Sequence, residues 1–308
     1  MVDLPGYASS EYAHSFQPAL EPVHLERASG WLLRRPIAGT RLSDAIGCYP
    51  LFCCRDWAAL AVDLDGLTDL VSVSLVTDPF AEPDEPRLRV MFPDVLFVFK
   101  QHFIVDLGRF SESTMPKHHQ RNLRSSRNTL QVIGCEQPVD FLDTWCALYD
   151  VLTARHGISG IADFSRDAFH QQLLVPGMFA CRAEASGQVV GMTLWMVHDG
   201  VAYYHLGAFT EQGYTLRAGY ALFAWSLEQL KDAGITRVTL GAGAGISTNP
   251  DDGLSRFKSG WSNEQRPTYF CGRILDRDAY ASLGSPGTDT GAFFPSYRSP
   301  EAGPVRRL

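Results

Sequence analysis

Two side chains stand out for what they can do to a reacting group. His205 lies in the middle of VAYYHLGAF, Val201–Phe209, a mostly apolar stretch. An imidazole titrates near neutral pH, which suits a group that takes a proton from an amine. The same residue also reads as a hydrogen-bonded core histidine. Lys258 follows Phe257 downstream of the run Gly241-Ala242-Gly243-Ala244-Gly245. A lone ammonium there suits a developing oxyanion, or is a surface lysine. A group transfer needs a proton acceptor, a partner for developing negative charge and a hold on the group's donor. Tyr203, Arg256, His118-His119 and Asp251-Asp252 are further candidates for substrate contact.

The hold on the donor calls for an anion site, and the surrounding pattern supplies a candidate. Leu216, Tyr220, Phe223, Leu227 and Leu230 recur at helical spacing. They place Leu216, Arg217, Ala218 and Gly219 in the first turn of a helix that follows a strand. Free N–H groups and the positive dipole end make such a start a natural anion site. Gly219 lets a ligand come close. Gly234 is a stop signal, and Thr236–Leu240 reads as a short strand. A second basic feature follows Pro116, where Lys117, Arg121, Arg124 and Arg127 share one helical face with no acidic residue from Ser113 to Cys135. It reads either as a site for phosphate or carboxylate or as a solvated face.

Other chemistries fit less well. The glycine run lacks the G-x-G-x-x-G spacing and no helix pattern follows it at once; no G-x-S-x-G or H-x-x-x-H occurs. The cysteines number 7, an odd and scattered set without a C-x-x-C pair, so buried thiols are expected and no metal site. The chain has 308 residues, 45% of them hydrophobic, and a net charge of −7, which argues against a whole-surface polyanion binder. No long apolar run and no signal-like N-terminus appear, so a cytoplasmic protein without a membrane span is expected.

Strand, polar turn, the helix start Arg217-Ala218-Gly219-Tyr220-Ala221 and short strand resemble the acyl-donor half of a GNAT-type acyltransferase. That family's phosphate loop reads roughly Gln/Arg-x-x-Gly-x-Gly/Ala; here the arginine stands one residue nearer the glycine. Gly253-Leu254-Ser255-Arg256-Phe257-Lys258 resembles the end segment of the peptidoglycan-bridge (FemABX-like) branch and its BioF2-like relatives. Arg121-Asn122-Leu123-Arg124 resembles that branch's basic helix. The resemblance covers roughly residues 95 to 275. It implies an α/β (α+β) fold, with a mixed, mostly antiparallel sheet flanked by helices in two GNAT-like lobes. Residues 1–125 would form a strand-rich lobe, 126–284 the acyltransferase lobe and 285–308 a loosely packed tail.

The resemblance further implies that the strand holding His205 splays beside the donor carbonyl, and that Lys258 steadies that carbonyl. The function it implies is N-acyl transfer from acyl-CoA, a co-substrate rather than a bound cofactor, to an amine of a small molecule or cell-envelope precursor. Leu216, Arg217, Ala218 and Gly219 would hold the donor; Arg121, Arg124, Tyr203 and Arg256 would contact substrate. An aminoacyl-tRNA donor is the alternative, and the acidic charge and the lack of a long basic coiled-coil arm favour CoA. A catalytically silent GNAT-like module that binds a ligand or partner protein is the reading from another class, supported by the altered Arg–Gly spacing.

Overall fold

The computed structural model describes residues 4–81, 84–243, 252–284 and 293–298. The chain packs as two compact units. One runs to Phe99 and takes in the chain from Pro267 onward; the other is Lys100–Arg266. The division near residue 125 expected from the sequence differs from this, because a C-terminal strand pairs back into the first unit.

The first unit holds α1 (Ser10–His14), β1 (Glu21–Leu25), β2 (Gly30–Pro36), β3 (Ser43–Gly47), α2 (Trp57–Asp65), β4 (Ser72–Val76) and α3 (Glu85–Met91). The N-terminal residues join the sheet: Val23 of β1 pairs with Leu32 of β2. The Asp56 side chain starts α2 by accepting from the Ala58 and Ala59 amides. Leu60 and Leu64 then fall on one face and pack with Leu32, Val73 and Phe92.

After β5 (Val95–Asp106) the second unit adds α4 (Lys117–Arg127), β6 (Gln131–Cys135), α5 (Leu142–His156), α6 (Arg166–Leu173), β7 (Met178–Ala185), β8 (Gln188–His198) and β9 (Val201–Phe209). Then come α7 (Glu211–Thr215), α8 (Ala218–Asp232), β10 (Arg237–Thr239) and α9 (Gly253–Ser259). Its strand order is β5-β10-β9-β8-β7-β6. Helix α8 covers one face, where Ala218, Ala221 and Leu222 lie against Cys181, Ala183 and Val190. Its small residues allow that close approach, and buried Phe223, Leu227 and Leu230 each contribute roughly 1.5–3 kcal/mol by leaving water. Helices α5 and α6 cover the other face through Trp145, Tyr149 and Phe169.

β11 (Glu264–Ile274) and α10 (Arg277–Ser282) follow, and β11 gives the first unit the order β1-β2-β3-β4-β11. Its pairings run antiparallel, antiparallel, parallel, antiparallel. The run β7-β8-β9-β10-β5 repeats that pattern. Each unit is therefore a mixed, mostly antiparallel sheet flanked by helices, as expected. Of the tail, the described residues 293–298 are anchored rather than loose: Arg298 and Tyr297 both bond to Asp44. Every cysteine is free. Among the described residues no helix is long and apolar enough to cross a membrane, and no cluster of His, Cys, Asp or Glu is set to hold a metal.

Candidate active site

The site begins with two strands that part. β10 pairs with β9 over Val201–Tyr203. β9 continues to Phe209 with β8 as its partner, so its outer backbone edge beyond Tyr203 has no strand beside it among the described residues. The β8–β9 register shifts between Leu194↔Leu206 and Trp195↔Tyr204, which leaves His205 as an extra, bulged residue. Leu206 thereby joins the α5/α6 face, whereas Tyr204 packs on the α8 side.

At the far end of β9 the chain makes the short helix α7, capped by the Thr210 side chain on the Gly213 amide. Leu216 closes α7, and its own amide bonds to the Gln212 carbonyl. It therefore lies outside the start of α8, contrary to expectation, because the helical stripe was read through a break between two helices. Arg217 is the true N-cap, in the left-handed region at φ 59°, and no side chain caps α8. A non-glycine residue there costs on the order of 1–2 kcal/mol. The Arg217 guanidinium donates to Ser125 Oγ of α4 at 3.3 Å. Ala218 is buried. A Cβ on Gly219 would sit 3.4 Å from the Phe209 ring and 3.6 Å from the Phe257 ring. The open end of α8, the end of β9 and α9 thus converge at Gly219.

Lys258 is on α9, which the sequence had suggested was loop. Asp252 caps that helix by accepting from the Leu254 and Ser255 amides. The Lys258 side chain turns inward, 6% exposed, and Nζ donates to the Ala242 carbonyl at 2.7 Å. It also stands 5.6 Å from the centroid of the Tyr204 ring. Burial pushes its pKa down to about 7, against the pull of Asp252. Nearby His102 is buried, with Nδ1 3.1 Å from Thr239 Oγ1. Burial first, then the charges of Lys258 and Lys100, push it down to about 3. In the sequence His102 stands within the apolar run 95–107, where no motif singles it out.

His205 does not join this cluster. It faces α6, donates from Nε2 to Gln172 Oε1 at 3.2 Å, and lies against Phe164. Burial pushes it down to about 3, so it is neutral in the working pH range. The pairing of His205 with Lys258 expected from the sequence is corrected accordingly: the two occupy opposite faces of the sheet. Tyr203 is likewise buried, 3% exposed. Arg121, Arg124 and Arg256 are exposed. Arg127 is held in an ion pair by Glu112, just outside the acid-free window.

A further histidine holds α9 in place. His119 of α4 is buried, donates from Nε2 to the Phe257 carbonyl at 2.9 Å and lies 2.7 Å from His118 Nε2 at Nδ1. The carbonyl fixes the proton on Nε2, so His118 is the donor to Nδ1. A Cβ on Gly260 would lie 2.1 Å from the His119 ring, so that position admits only glycine. The sequence signal was the His118-His119 pair, read there as acceptor contacts.

Residues 117–259 match the family model described as acetyltransferase (GNAT) domain. That stretch, just under half of the chain, carries a GNAT domain, and the domain is that of a transferase of acyl groups. Its fold matches that of FemX, with 13% identity, a TM-score of 0.66 and coverage of 89% of this chain and 93% of that one. The C-terminal domain of a putative lysylphosphatidylglycerol synthetase from Agrobacterium fabrum aligns at 16% identity and TM-score 0.65, over 91% of this chain and 90% of that one. L-PGS from Bacillus licheniformis aligns at 16% identity and TM-score 0.58, over 87% of each chain. These likenesses are of fold. No curated protein matches the chain in sequence.

Proposed function

We propose that this GNAT protein moves an acyl group from acyl-CoA to an amine of a small molecule or cell-envelope precursor. The observation that carries the reading is the convergence at Gly219 of a helix start without a side-chain cap, the end of a strand that runs on past its parallel neighbour, and the helix bearing Lys258. The donor's diphosphate would lie on the amides of Ala218 and Gly219, with Arg217 beside it. The thioester would run along β9 beyond Tyr203, its oxygen toward Lys258. As the amine attacks, charge gathers on that oxygen, and the Lys258 ammonium meets it in a site of low dielectric. The leaving thiolate needs one proton and the attacking amine must lose one, so the transfer balances without a protein base. His205 has no part in it. His119 acts as a positioning residue through the Phe257 carbonyl.

A second donor, aminoacyl-tRNA, is favoured by one observation. The Arg217–Ser125 contact sets the exposed Lys117, Arg121 and Arg124 on the helix next to the anion site, a longer basic track than a diphosphate needs. Native mass spectrometry of the full chain with a panel of acyl-CoAs and a charged tRNA pool tests both. A mass adduct and product with an acyl-CoA supports the first reading; transfer from the tRNA pool alone replaces it with the second. Neither binding would return the chain to the silent-module reading.

A further inference from the structure

The first unit carries a cavity that acyl transfer does not use. It lies on the face of β3, β4 and β11 opposite the α2 core, under the described residues 293–298, and has a volume of about 380 Å³. That is within the range of small-ligand sites. Arg35, Arg298 and Ser74 line it together with Ile46, Phe270 and Phe293.

Its polar side is not self-satisfied. Asp44 is fully buried and accepts from both arginines: Arg35 through Nε and Nη2 at 2.9 and 3.2 Å, Arg298 through Nε and Nη2 at 2.6 and 3.0 Å. Tyr297 donates a further bond to the same carboxylate at 3.0 Å and accepts from Ser72. Among the described residues two guanidinium groups thus share one carboxylate and leave one positive charge in excess. Both use the same side of the fork, and the Nη1 group of each makes no bond among the described residues. Ser74 is 6% exposed, lines the cavity, and its hydroxyl has no partner among the described residues. These donors are open to the cavity, and a carboxylate or phosphate oxygen is the acceptor that would both bond to them and cancel the excess charge. The remaining wall is flat and apolar. Phe270 forms part of it, the Phe294 ring closes over Gly272, and Phe293 stands at the rim 48% exposed.

We propose that this cavity binds a small oxyanion, carboxylate or phosphate, carried on a flat apolar body. The oxyanion bonds to Arg35, Arg298 and Ser74, and the body lies against Phe270 and Phe293. This site stands independently of the acyl-transfer reading, because its test is direct binding.

The test uses the full chain with phenyl phosphate and benzoate as probes, and inorganic phosphate and benzyl alcohol as controls. The reporter is the Ile46 methyl resonance. One or both probes should shift it saturably, and each control should bind at least about tenfold more weakly, since it keeps only half of the recognition. Ser74→Ala should weaken the better probe by about tenfold or more, the effect of losing a hydrogen bond to a charged group, without moving the melting temperature. Phe293→Ala, at an exposed rim position, should weaken it several-fold. The proposal is overturned if neither probe saturates the shift or if inorganic phosphate binds as tightly as phenyl phosphate. Wild-type affinity in both variants overturns it equally.

Discussion

The longest helix between the third and fourth strands of the repeated run begins in opposite ways in the two units. In the first, Asp56 occupies the start of α2 and accepts from two of its free amides. The strand before it, β3, keeps regular register with β2. The edge of β4 beyond β3 is taken by Phe52, whose amide bonds to the Val76 carbonyl at 2.8 Å. In the second unit α8 has no side-chain cap, β9 carries a bulge, and beyond β10 no strand lies on that side of β9 among the described residues. One scaffold thus appears in a closed and an open form. The closed form satisfies its own backbone and gains stability; the open form leaves donors and a strand edge for a substrate. The open form is the unit that the family model matches, over residues 117–259.

Changes in the open copy should strike activity and changes in the closed copy only stability. The largest effect is expected for Lys258→Met, which should lower turnover by roughly 10²- to 10³-fold, as loss of an oxyanion partner does. The same variant should be the more stable protein at neutral pH. Lys258 has a folded pKa near 7, below its unfolded value near ~10.4. Its contribution is therefore most favourable above pH ~10.4 and declines as pH falls toward 7. Denaturant unfolding at pH 10 and pH 7 should show that decline in the wild type and a flatter response in the variant. Turnover should also fall as pH rises through about 7, where the ammonium is lost. A rise instead would make Lys258 the proton acceptor.

Gly219→Glu should come next. Its carboxylate would enter between the Phe209 and Phe257 rings and repel the donor phosphates. Like charge at such a contact costs several kcal/mol, so donor affinity should drop by about 100-fold or more in a titration. Gly219→Ala is the control, since its Cβ meets ordinary contact distances. Replacing Arg121 and Arg124 by glutamine should weaken donor binding by less, about two- to tenfold at low salt, and flatten its salt dependence. A large flattening would point to the tRNA donor.

Smaller effects test the rest of the contrast. His205→Gln should leave turnover within about threefold and its pH profile unchanged, whereas loss of a general base costs roughly 10²- to 10⁴-fold. His205 and His102 instead shape acid stability. Both are held near 3, below the unfolded value of ~6.5. Their contribution is complete above pH ~6.5 and is lost as pH falls from there toward 3. Asp56→Ala, in the closed copy, should cost about 1 kcal/mol of stability and leave turnover alone. A turnover defect in that variant would sink the comparison.

Local signals were legible in the sequence where one residue decides the structure. Asp199-Gly200 makes the β8–β9 turn, Ser165 caps α6 through the Ala168 amide, and Gly157 ends α5 at φ 62°. The core stripe of α8 was legible for the same reason of spacing, while its first residue was not. A short capped helix, α7, continued the stripe by one position and drew Leu216 into the wrong helix. α9 was hidden because a run of glycines precedes it and its start depends on Asp252 alone. Lys258 was found from its place after an aromatic, but its partners Ala242 and His102 come from other elements, and no spacing announces them. The repeat between the units was invisible because it lies in strand order and direction, which alternating apolar residues do not encode.

The bulge at His205 carries a cost that side-chain chemistry does not measure. Along β9, Ala202 and Tyr204 face α8, yet Leu206 and Ala208, also even-numbered, face α5 and α6. One added residue changes the phase of the strand halfway along its length. Losing His205 would restore a regular ladder and keep Leu206 and Ala208 in their core, because Leu206 already pairs with Leu194 beside the Tyr204–Trp195 pair; losing Gly207 instead would move Leu206 out of phase with Ala208. No substitution reassigns several positions at once. The strand should therefore accept the loss of His205 more readily than the loss of Ala202 or Gly207, which a library of single deletions across Val201–Phe209 would read out directly.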